Sequence, residues 1–236
     1  MTAASLDVAG LSAGYGPTRI LEDVSFSVPA GGRLAVLGRN GMGKTTLFAT
    51  LAGQTRHHGG TMRLGSRELS GLDGSARALA GLGYVPQHRA IFKTLSVEEN
   101  LFVGLKARPR SAIDEAYALF PRLKERRRNL GGQLSGGEQQ MLSTARTILG
   151  QPTLLLLDEP LEGLAPVICE ELMAAFAELA STRATTILLV EQRIKAALAF
   201  AEDVMILERG RLAWSGTPAE LEAQPDIVDR LLGVGH

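Results

Sequence analysis

The sequence has little cysteine, little tryptophan and no excess of either charge. Its one cysteine, Cys169, cannot form an internal disulfide, which fits a reducing compartment. Lys plus Arg and Asp plus Glu each number 25, so the basic excess typical of dedicated nucleic-acid binders is missing. No segment approaches the roughly 18 consecutive apolar residues of a transmembrane helix, and residues 1–7 do not resemble a signal peptide. We therefore expect a cytoplasmic protein that reaches a membrane only through a partner.

The most informative feature that is present is a complete phosphate-binding loop. Residues 38–46 match G-x-x-x-x-G-K-[ST] between an apolar run at 34–37, which predicts a buried strand, and a stretch at 44–51 that predicts a helix. Glycines let successive N–H groups face one anion, and the helix N-terminus adds its positive dipole end. Lys44 can then reach the β- and γ-phosphates, and the Thr45 hydroxyl can bind Mg²⁺. The predicted nucleotide-binding residues are Gly38, Arg39, Asn40, Gly41, Met42, Gly43, Lys44, Thr45 and Thr46.

Two adjacent acids follow a second apolar run. Four leucines at 154–157 precede Asp158 and Glu159 and predict a buried strand that ends at the carboxyl edge of a sheet. There Asp158 can hold Mg²⁺ together with Thr45, and Glu159 can orient or deprotonate the attacking water. Two acids after leucines could also mark a strand that meets a turn. The complete phosphate loop upstream favours the catalytic interpretation.

A second glycine-rich segment lies shortly before that strand. Ser135, Gly136, Gly137 and Glu138 open a predicted helix, so a hydroxyl, two permissive backbone positions and a helix dipole could bind an anion. Ser-Gly-Gly alone is usually a flexible turn. Since one nucleotide hardly needs two phosphate cradles, we expect the second to serve a nucleotide bound to another subunit.

The remaining pattern predicts an α/β protein with a mostly parallel sheet. Residues 153–158, 185–190 and 203–208 are interpreted as buried strands, whereas 94–149 shows helical patterns and no convincing strand. This middle segment is expected to be a helical lobe inserted into a nucleotide-binding core. The histidine pair at 57–58 lacks further ligands at metal-site spacing and is expected to lie in a polar turn.

Together these motifs resemble the ATP-binding-cassette ATPase subunits of transporters along essentially the whole chain. The resemblance rests on the phosphate loop, the paired acids and Leu-Ser-Gly-Gly-Glu at 134–138, which is similar to the signature motif of that family. It implies a P-loop NTPase fold in one domain, with a RecA-like core, an inserted helical subdomain that carries the signature, and an N-terminal antiparallel β region. The implied boundaries are 1–236 for the domain, 1–90 and 151–236 for the core, and 91–150 for the helical subdomain.

The resemblance also implies roles and partners that the residues alone do not suggest. Tyr15, in Gly-Tyr-Gly, matches the aromatic residue that stacks on adenine. Gln87, in Tyr-Val-Pro-Gln, matches the glutamine that contacts Mg²⁺ and the attacking water, at the joint with the helical lobe. Two such subunits would dimerise head to tail, with each signature closing on the ATP of the other. The helical lobe would dock on integral membrane permease subunits, which hold the ATPase at the inner face of the plasma membrane.

The sequence departs from the common family pattern at two positions. Gln192 stands where the family usually has a switch histidine, and an amide can donate an N–H to a γ-phosphate oxygen but cannot carry imidazolium charge. Ala165 stands where the common loop has an aspartate. From Gln192 we expect slower hydrolysis, or greater dependence on Lys44 and Mg²⁺, and from Ala165 we expect no contact across the dimer of the kind that the aspartate would make. The expected catalytic residues are Glu159, Lys44 and Gln192.

These departures resemble one subfamily. Glu-Gly-Leu-Ala-Pro at 162–166, followed by Val-Glu-Gln at 190–192, is similar to one ATPase of the branched-chain amino acid importers, the LivF type, and to its urea- and amide-importing relatives. This resemblance implies a pair of different ATPases beneath two permeases, with a periplasmic protein that delivers the solute. A homodimer stays open.

Two other functions remain as alternatives. A non-hydrolysing regulatory subunit is suggested by Gln192, although the intact Glu159 and Ser135 argue against it. A soluble cassette in nucleic-acid metabolism is disfavoured by the neutral charge balance. The interval between the two halves of the site is also too short for the long coiled coils of repair-type cassettes. We expect no nucleic-acid partner.

Overall fold

Two β-sheets and ten α-helices make up residues 2–233, the part of the chain that this computed structural model describes. The strands are β1 (Leu6–Tyr15), β2 (Thr18–Val28), β3 (Arg33–Leu37), β4 (Arg56–Leu64), β5 (Arg67–Glu68), β6 (Leu82–Val85), β7 (Leu154–Asp158), β8 (Thr186–Val190), β9 (Asp203–Glu208) and β10 (Arg211–Gly216). The helices are α1 (Lys44–Leu51), α2 (Gly74–Leu79), α3 (Val97–Gly104), α4 (Ile113–Leu119), α5 (Pro121–Glu125), α6 (Gly136–Leu149), α7 (Pro166–Ser181), α8 (Ile194–Phe200), α9 (Pro218–Glu222) and α10 (Pro225–Leu232).

The larger sheet has the strand order β10-β9-β3-β8-β7-β6, and all its neighbours run parallel except β10 and β9. Every residue of β7 and β8 is buried, because one face of the sheet packs against α3, α6 and α7 and the other against α1 and the strands β1, β2 and β4. The predicted α/β class with a mostly parallel sheet is thus confirmed. The parallel arrangement brings the carboxyl ends of β3, β7 and β8 to one edge, where the phosphate loop and the paired acids follow.

The N-terminal sheet is antiparallel, with the order β2-β1-β4-β5. It confirms the expected N-terminal antiparallel β region. The expectation of a polar turn at the histidine pair is wrong, because His57 and His58 lie within β4 and His57 is paired with Ala13 of β1. Gly59 and Gly60 suggested a turn there, but pairing with β1 decides the conformation.

Between β6 and β7 the described secondary structure is helical, with short 3₁₀ turns at Arg110–Ala112 and Gly131–Gln133 and an isolated bridge between Ser96 and Leu130. Two of these helices begin with a reciprocal capping box, Ser96 with Glu99 in α3 and Ser135 with Glu138 in α6. Side chains of the helical segment share one hydrophobic cluster with β7, β8 and α7. The boundaries of a separate subdomain at 91 and 150 stay a prediction.

The C-terminal helices return to the phosphate loop. The Arg39 guanidinium donates to the carbonyl oxygens of Arg230, at 3.0 Å, and of Asp229, at 3.4 Å, near the end of α10. A cation at a helix C-terminus complements the negative end of the helix dipole.

Among residues 2–233, no helix is long and apolar enough to cross a bilayer.

Candidate nucleotide site

The phosphate loop connects β3 to α1 and leaves the start of that helix open. Gly38 has φ +142° and packs so closely that a Cβ there would lie 2.4 Å from the carbonyl oxygen of Leu207. Gly43, the N-cap of α1, has φ +103° and no side chain to cap the helix, and the first turn contains no acidic residue. No side chain of the cap or first turn therefore competes with an anion for the N–H groups and the positive dipole of α1.

The Lys44 side chain folds back onto the backbone of the phosphate loop. Its ammonium donates to the carbonyl oxygens of Gly38, at 2.7 Å, and of Arg39, at 2.9 Å. Burial lowers the pKa of Lys44, and the carboxylates of Glu159 and Asp158 oppose that shift. The Lys44 ammonium is thus bound to two backbone carbonyl oxygens and lines the cleft in which a phosphate would bind.

Asp158 ends β7 and is fully buried. Its Oδ1 accepts from the Thr45 hydroxyl at 3.3 Å, and its Oδ2 accepts from the Tyr84 hydroxyl at 3.1 Å. Burial is the main cause that raises the pKa of Asp158 to about 6, and Glu159 adds to it. The hydrogen bonds from Tyr84 and Thr45, and the charge of Lys44, act in the opposite direction. The structure therefore joins Thr45 and Asp158, the two residues expected to share a metal ion.

Tyr84 is a site residue to which the sequence analysis gave no role. It stands three positions before Gln87 on β6, and burial is the main cause that raises its pKa. A tyrosine beside a glycine on a short strand resembles any core aromatic. Only the pairing of β6 with β7, which sets Tyr84 opposite Leu156, shows that its hydroxyl reaches Asp158.

Glu159 has a left-handed backbone, with φ +48°, although it is not glycine. Its N–H donates to the carbonyl oxygen of Val190 at 2.9 Å, which holds the bend where β7 ends. Its Oε2 accepts from Nε2 of Gln192 at 2.7 Å and from Nε2 of Gln87 at 3.2 Å. Unusual backbone geometry of this kind is often found at functional sites. Gln87 and Gln192 thus both donate to the carboxylate that is predicted to act on the attacking water.

The buried Glu191 holds the backbone next to these side chains by accepting hydrogen bonds from it. Glu191 accepts from the N–H of Leu161 at 3.0 Å through Oε1, and from the N–H groups of Gln192 and Arg193 through Oε2. Burial raises its pKa, and the three backbone donors oppose that shift. The sequence signal for this role of Glu191 is an acid directly after the buried strand β8. Val-Glu-Gln serves in the sequence analysis only as a feature of the subfamily.

Lys44, Thr45, Gln87, Glu159 and Gln192 line one cleft of about 430 Å³, whereas Tyr84, Asp158 and Glu191 do not line it. Tyr15 lines it too and is half exposed, as a residue that stacks on an entering base would be. The complete lining consists of Tyr15, Ile20, Asn40, Gly41, Gly43, Lys44, Thr45, Thr46, Gln87, Glu159, Glu162 and Gln192. Of the predicted loop residues, Gly38 and Arg39 line an adjacent cavity of about 260 Å³ instead, together with Leu232 of α10.

The Ser-Gly-Gly segment does not line this cleft. Ser135 is exposed and caps α6, its Oγ accepting from the N–H of Glu138 at 3.3 Å while Glu138 accepts from the N–H of Ser135 at 2.8 Å. Side chains at Gly136 and Gly137 would meet Arg89 and Ile168, respectively, within about 3 Å. The predicted contact of Ser135, Gly136, Gly137 and Glu138 with a nucleotide therefore requires a second chain.

Comparisons with known proteins agree on the family. Residues 21–162 match the family described as ABC transporter. The chain is 40% identical over 223 residues to the high-affinity branched-chain amino acid transport ATP-binding protein BraG of Pseudomonas aeruginosa, covering 93% of this chain and 95% of the relative. It is 36% identical to the probable branched-chain amino acid transport ATP-binding protein LivF of Archaeoglobus fulgidus, covering 95% of this chain and 97% of that one.

Solved structures show the same fold. A structure titled as the ATP-binding subunit of an ABC transporter superposes with a TM-score of 0.83 at 26% identity, covering 97% of this chain and 96% of the other. A nucleotide-free ATP-binding cassette from an ABC transporter also gives a TM-score of 0.83, at 20% identity, over 99% of this chain and all of the other. The expected cassette fold is thereby confirmed.

Proposed function

The chain belongs to the ABC transporter family, and we propose that it is the ATPase that drives import of branched-chain amino acids or of a related polar solute, such as an amide or urea. The observation that carries the choice of solute is the 40% identity to BraG across nearly the whole chain. As in other members of this family, ATP hydrolysis is coupled to transport.

Hydrolysis requires that a water molecule be oriented toward the γ-phosphate and that the developing charge be neutralised. Lys44 is the group that neutralises phosphate charge, and its present carbonyl partners are weak competitors for a triphosphate. Glu159 is the group that orients or deprotonates the water. Gln192 contacts that carboxylate directly and can also donate to a phosphate oxygen, so it takes the place of the switch histidine.

The donors beside Lys44 also fit Mg²⁺. The Thr45 hydroxyl and the buried Asp158 carboxylate are 3.3 Å apart, and Thr45 and Gln87 both line the cleft. Oxygen donors of this kind suit a hard cation. The ion would supply charge stabilisation at the β- and γ-phosphates. Thr45, Asp158 and Gln87 are the residues that would hold it.

Dimerisation follows from the position of the signature. Because Ser135 lies at an exposed helix start away from the chain's own cleft, it can meet a nucleotide only across an interface. We infer a head-to-tail pair in which each ATP lies between the phosphate loop of one chain and the signature of the other. A different ATPase subunit is the favoured partner, since Gln192 suits one half of an asymmetric pair.

A groove between the core and the helical segment suits a permease. Phe92 and Val103 line this groove of about 280 Å³ and are about half exposed, and Leu79, 74% exposed, adjoins its lining residue Ala78. Clustered exposed apolar side chains mark interaction surfaces. Phe92, in the wall of this groove, follows Gln87 closely in the chain. A movement of Gln87 in the nucleotide cleft would therefore shift the surface on which a permease segment docks. We infer a peripheral position on the inner face of the plasma membrane, with a periplasmic protein delivering the solute.

Two measurements test this function. The first is steady-state ATPase activity and dimerisation of wild type and Glu159→Gln, each alone and with the partner ATPase, with Glu170→Gln on α7 as the matched surface control. We expect Glu159→Gln to lower turnover about 10²- to 10⁴-fold and to retain an ATP-bound dimer. An inert wild type in the presence of its partner would instead identify a regulatory subunit.

The second measurement addresses the solute. Uptake of radiolabelled leucine is compared in cells that lack this subunit and carry either wild type or Glu159→Gln. Restoration by wild type alone supports branched-chain amino acid import. If neither leucine nor valine uptake responds while urea or amide uptake does, the solute assignment moves to those relatives and the ATPase assignment stands.

A further inference from the structure

Glu162 is a carboxylate in the nucleotide cleft that has no role in the function proposed above. It lies in the loop between β7 and α7, three residues after Glu159, and lines the cleft with Gln87 and Gln192. Its Oε2 accepts from Nε2 of Gln87 at 2.6 Å, which is shorter than the 3.2 Å contact between Gln87 and Glu159. Glu162 is thus the closer partner of the amide that is expected to contact Mg²⁺.

These contacts decide which way the amide of Gln87 points. A carboxylate can only accept hydrogen bonds, so two carboxylates on one side of an amide require its NH₂ arm on that side. The opposite orientation would place the amide oxygen against two carboxylates and would be repelled. The carbonyl oxygen of Gln87, the only arm that can bind a cation, is therefore left as the free arm.

Glu159 holds this orientation less tightly than Glu162 does. Its Oε2 already accepts from Gln192 at 2.7 Å, so its contact with Gln87 is the longer of the two and shares one oxygen. The backbone at Glu162 is held in place, because its N–H donates to the carbonyl oxygen of Glu159 at 3.2 Å and Glu191 accepts from the N–H of Leu161. From this backbone position the Glu162 carboxylate reaches Nε2 of Gln87 at 2.6 Å.

We propose that Glu162 is a positioning residue that holds the Gln87 amide with its oxygen free and thereby strengthens Mg²⁺ binding at the nucleotide site. The inference rests on the proposed function, since it presupposes a bound nucleotide. Without Glu162 the exposed amide can rotate or turn toward solvent, and only a fraction of molecules keeps the binding orientation. Apparent affinity falls by that fraction, so about two- to tenfold more Mg²⁺ is needed.

The test uses two variants of similar side-chain length that differ in one property. Glu162→Gln keeps an acceptor oxygen, whereas Glu162→Met has none. Binding of a non-hydrolysable fluorescent ATP analogue is measured in EDTA and then across a Mg²⁺ titration, with Glu170→Met as the surface control. We expect equal affinity in EDTA, a two- to tenfold rise in the half-maximal Mg²⁺ concentration for Glu162→Met, and a change of less than about twofold for Glu162→Gln.

A double-mutant cycle shows whether Glu162 acts through Gln87. Gln87→Ala alone should weaken the Mg²⁺ response, and adding Glu162→Met should weaken it no further. Additive losses, or an unchanged Mg²⁺ response in folded Glu162→Met, would overturn the inference. If Glu162→Met does not fold, Glu162→Ala replaces it in the same cycle. A wild type that binds the analogue neither in EDTA nor at saturating Mg²⁺ contradicts the proposed function itself.

Discussion

Two helix starts in this chain have similar sequence features but different structural states. The start of α1 has a glycine N-cap with no side-chain cap and no acid in its first turn, and it opens into the cleft beside buried Lys44. The start of α6 has Ser135 and Glu138, which satisfy each other's backbone N–H groups in a capping box, and Ser135 is exposed. The first is left open for a ligand by its own chain, whereas the second is stable without one.

The difference teaches which site works alone. An uncapped N-terminus with a nearby cation attracts an anion directly, so the α1 site should bind nucleotide in a single chain. At α6 the capping box satisfies the N–H groups of Ser135 and Glu138, and the Ser135 hydroxyl, which accepts in that box, can still donate to a phosphate. Because Ser135 does not line the cleft of its own chain, we expect a second chain to bring that phosphate, which ties the α6 site to dimerisation.

Lys44→Ala should break the α1 site and have the largest effect. Removing the ammonium leaves phosphate charge without its cation, and we expect turnover to fall about 10²-fold or more. Nucleotide binding by the single chain should weaken as well. Both are measured with Lys195→Ala, an exposed lysine on α8, as the control. A turnover within tenfold of wild type would contradict the role of Lys44.

Ser135→Ala should separate the two helix starts. Nucleotide binding by the single chain should stay unchanged, while turnover of the dimer falls about tenfold or more because one phosphate donor is lost. Loss of the cap should also lower the free energy of unfolding by about 1 kcal/mol.

Ser96→Ala is the matched control, since Ser96 closes the same kind of capping box in α3. It should lower stability by a similar amount and leave turnover unaffected. Equal losses of turnover in the two variants would mean that Ser135 acts only as a helix cap.

Gln192→His should change turnover only about two- to fivefold. The imidazole would replace an amide that donates to Glu159, and it would add a group that titrates near pH 6.5. A pH–rate profile of the variant against wild type measures this difference. If wild type is inert and Gln192→His hydrolyses ATP, Glu159 and Gln192 do not form a competent hydrolysis site in the wild type.

Arg39→Ala should have the smallest effect and tests how rigidly the α1 loop is held. The variant loses the hydrogen bonds to the end of α10, so we expect the free energy of unfolding to fall by about 0.5–1 kcal/mol. Arg19→Ala, on the surface of β2, is the control in denaturant titrations. A loss of turnover as large as that of Lys44→Ala would show that Arg39 acts on the nucleotide and not on the loop.

Much of the fold was predictable because its signals are local. The apolar strands β3, β7, β8 and β9 and the helix α7 follow from runs of consecutive residues and from helical spacing after Pro166. β4 was not predictable in the same way, since its glycines and histidines do not suggest a strand and its pairing partner lies more than 40 residues earlier.

By itself, the sequence determined the phosphate loop, the paired acids and the signature segment, because each is a short run whose chemistry depends on adjacent residues. Only the tertiary structure decided that Tyr84 contacts Asp158, that Glu162 accepts a hydrogen bond from Gln87, and that the signature lies away from the cleft. The two contacts join residues 74 and 75 positions apart. Such distances close only when parallel strands bring their carboxyl ends to one edge of the sheet, which no local pattern encodes.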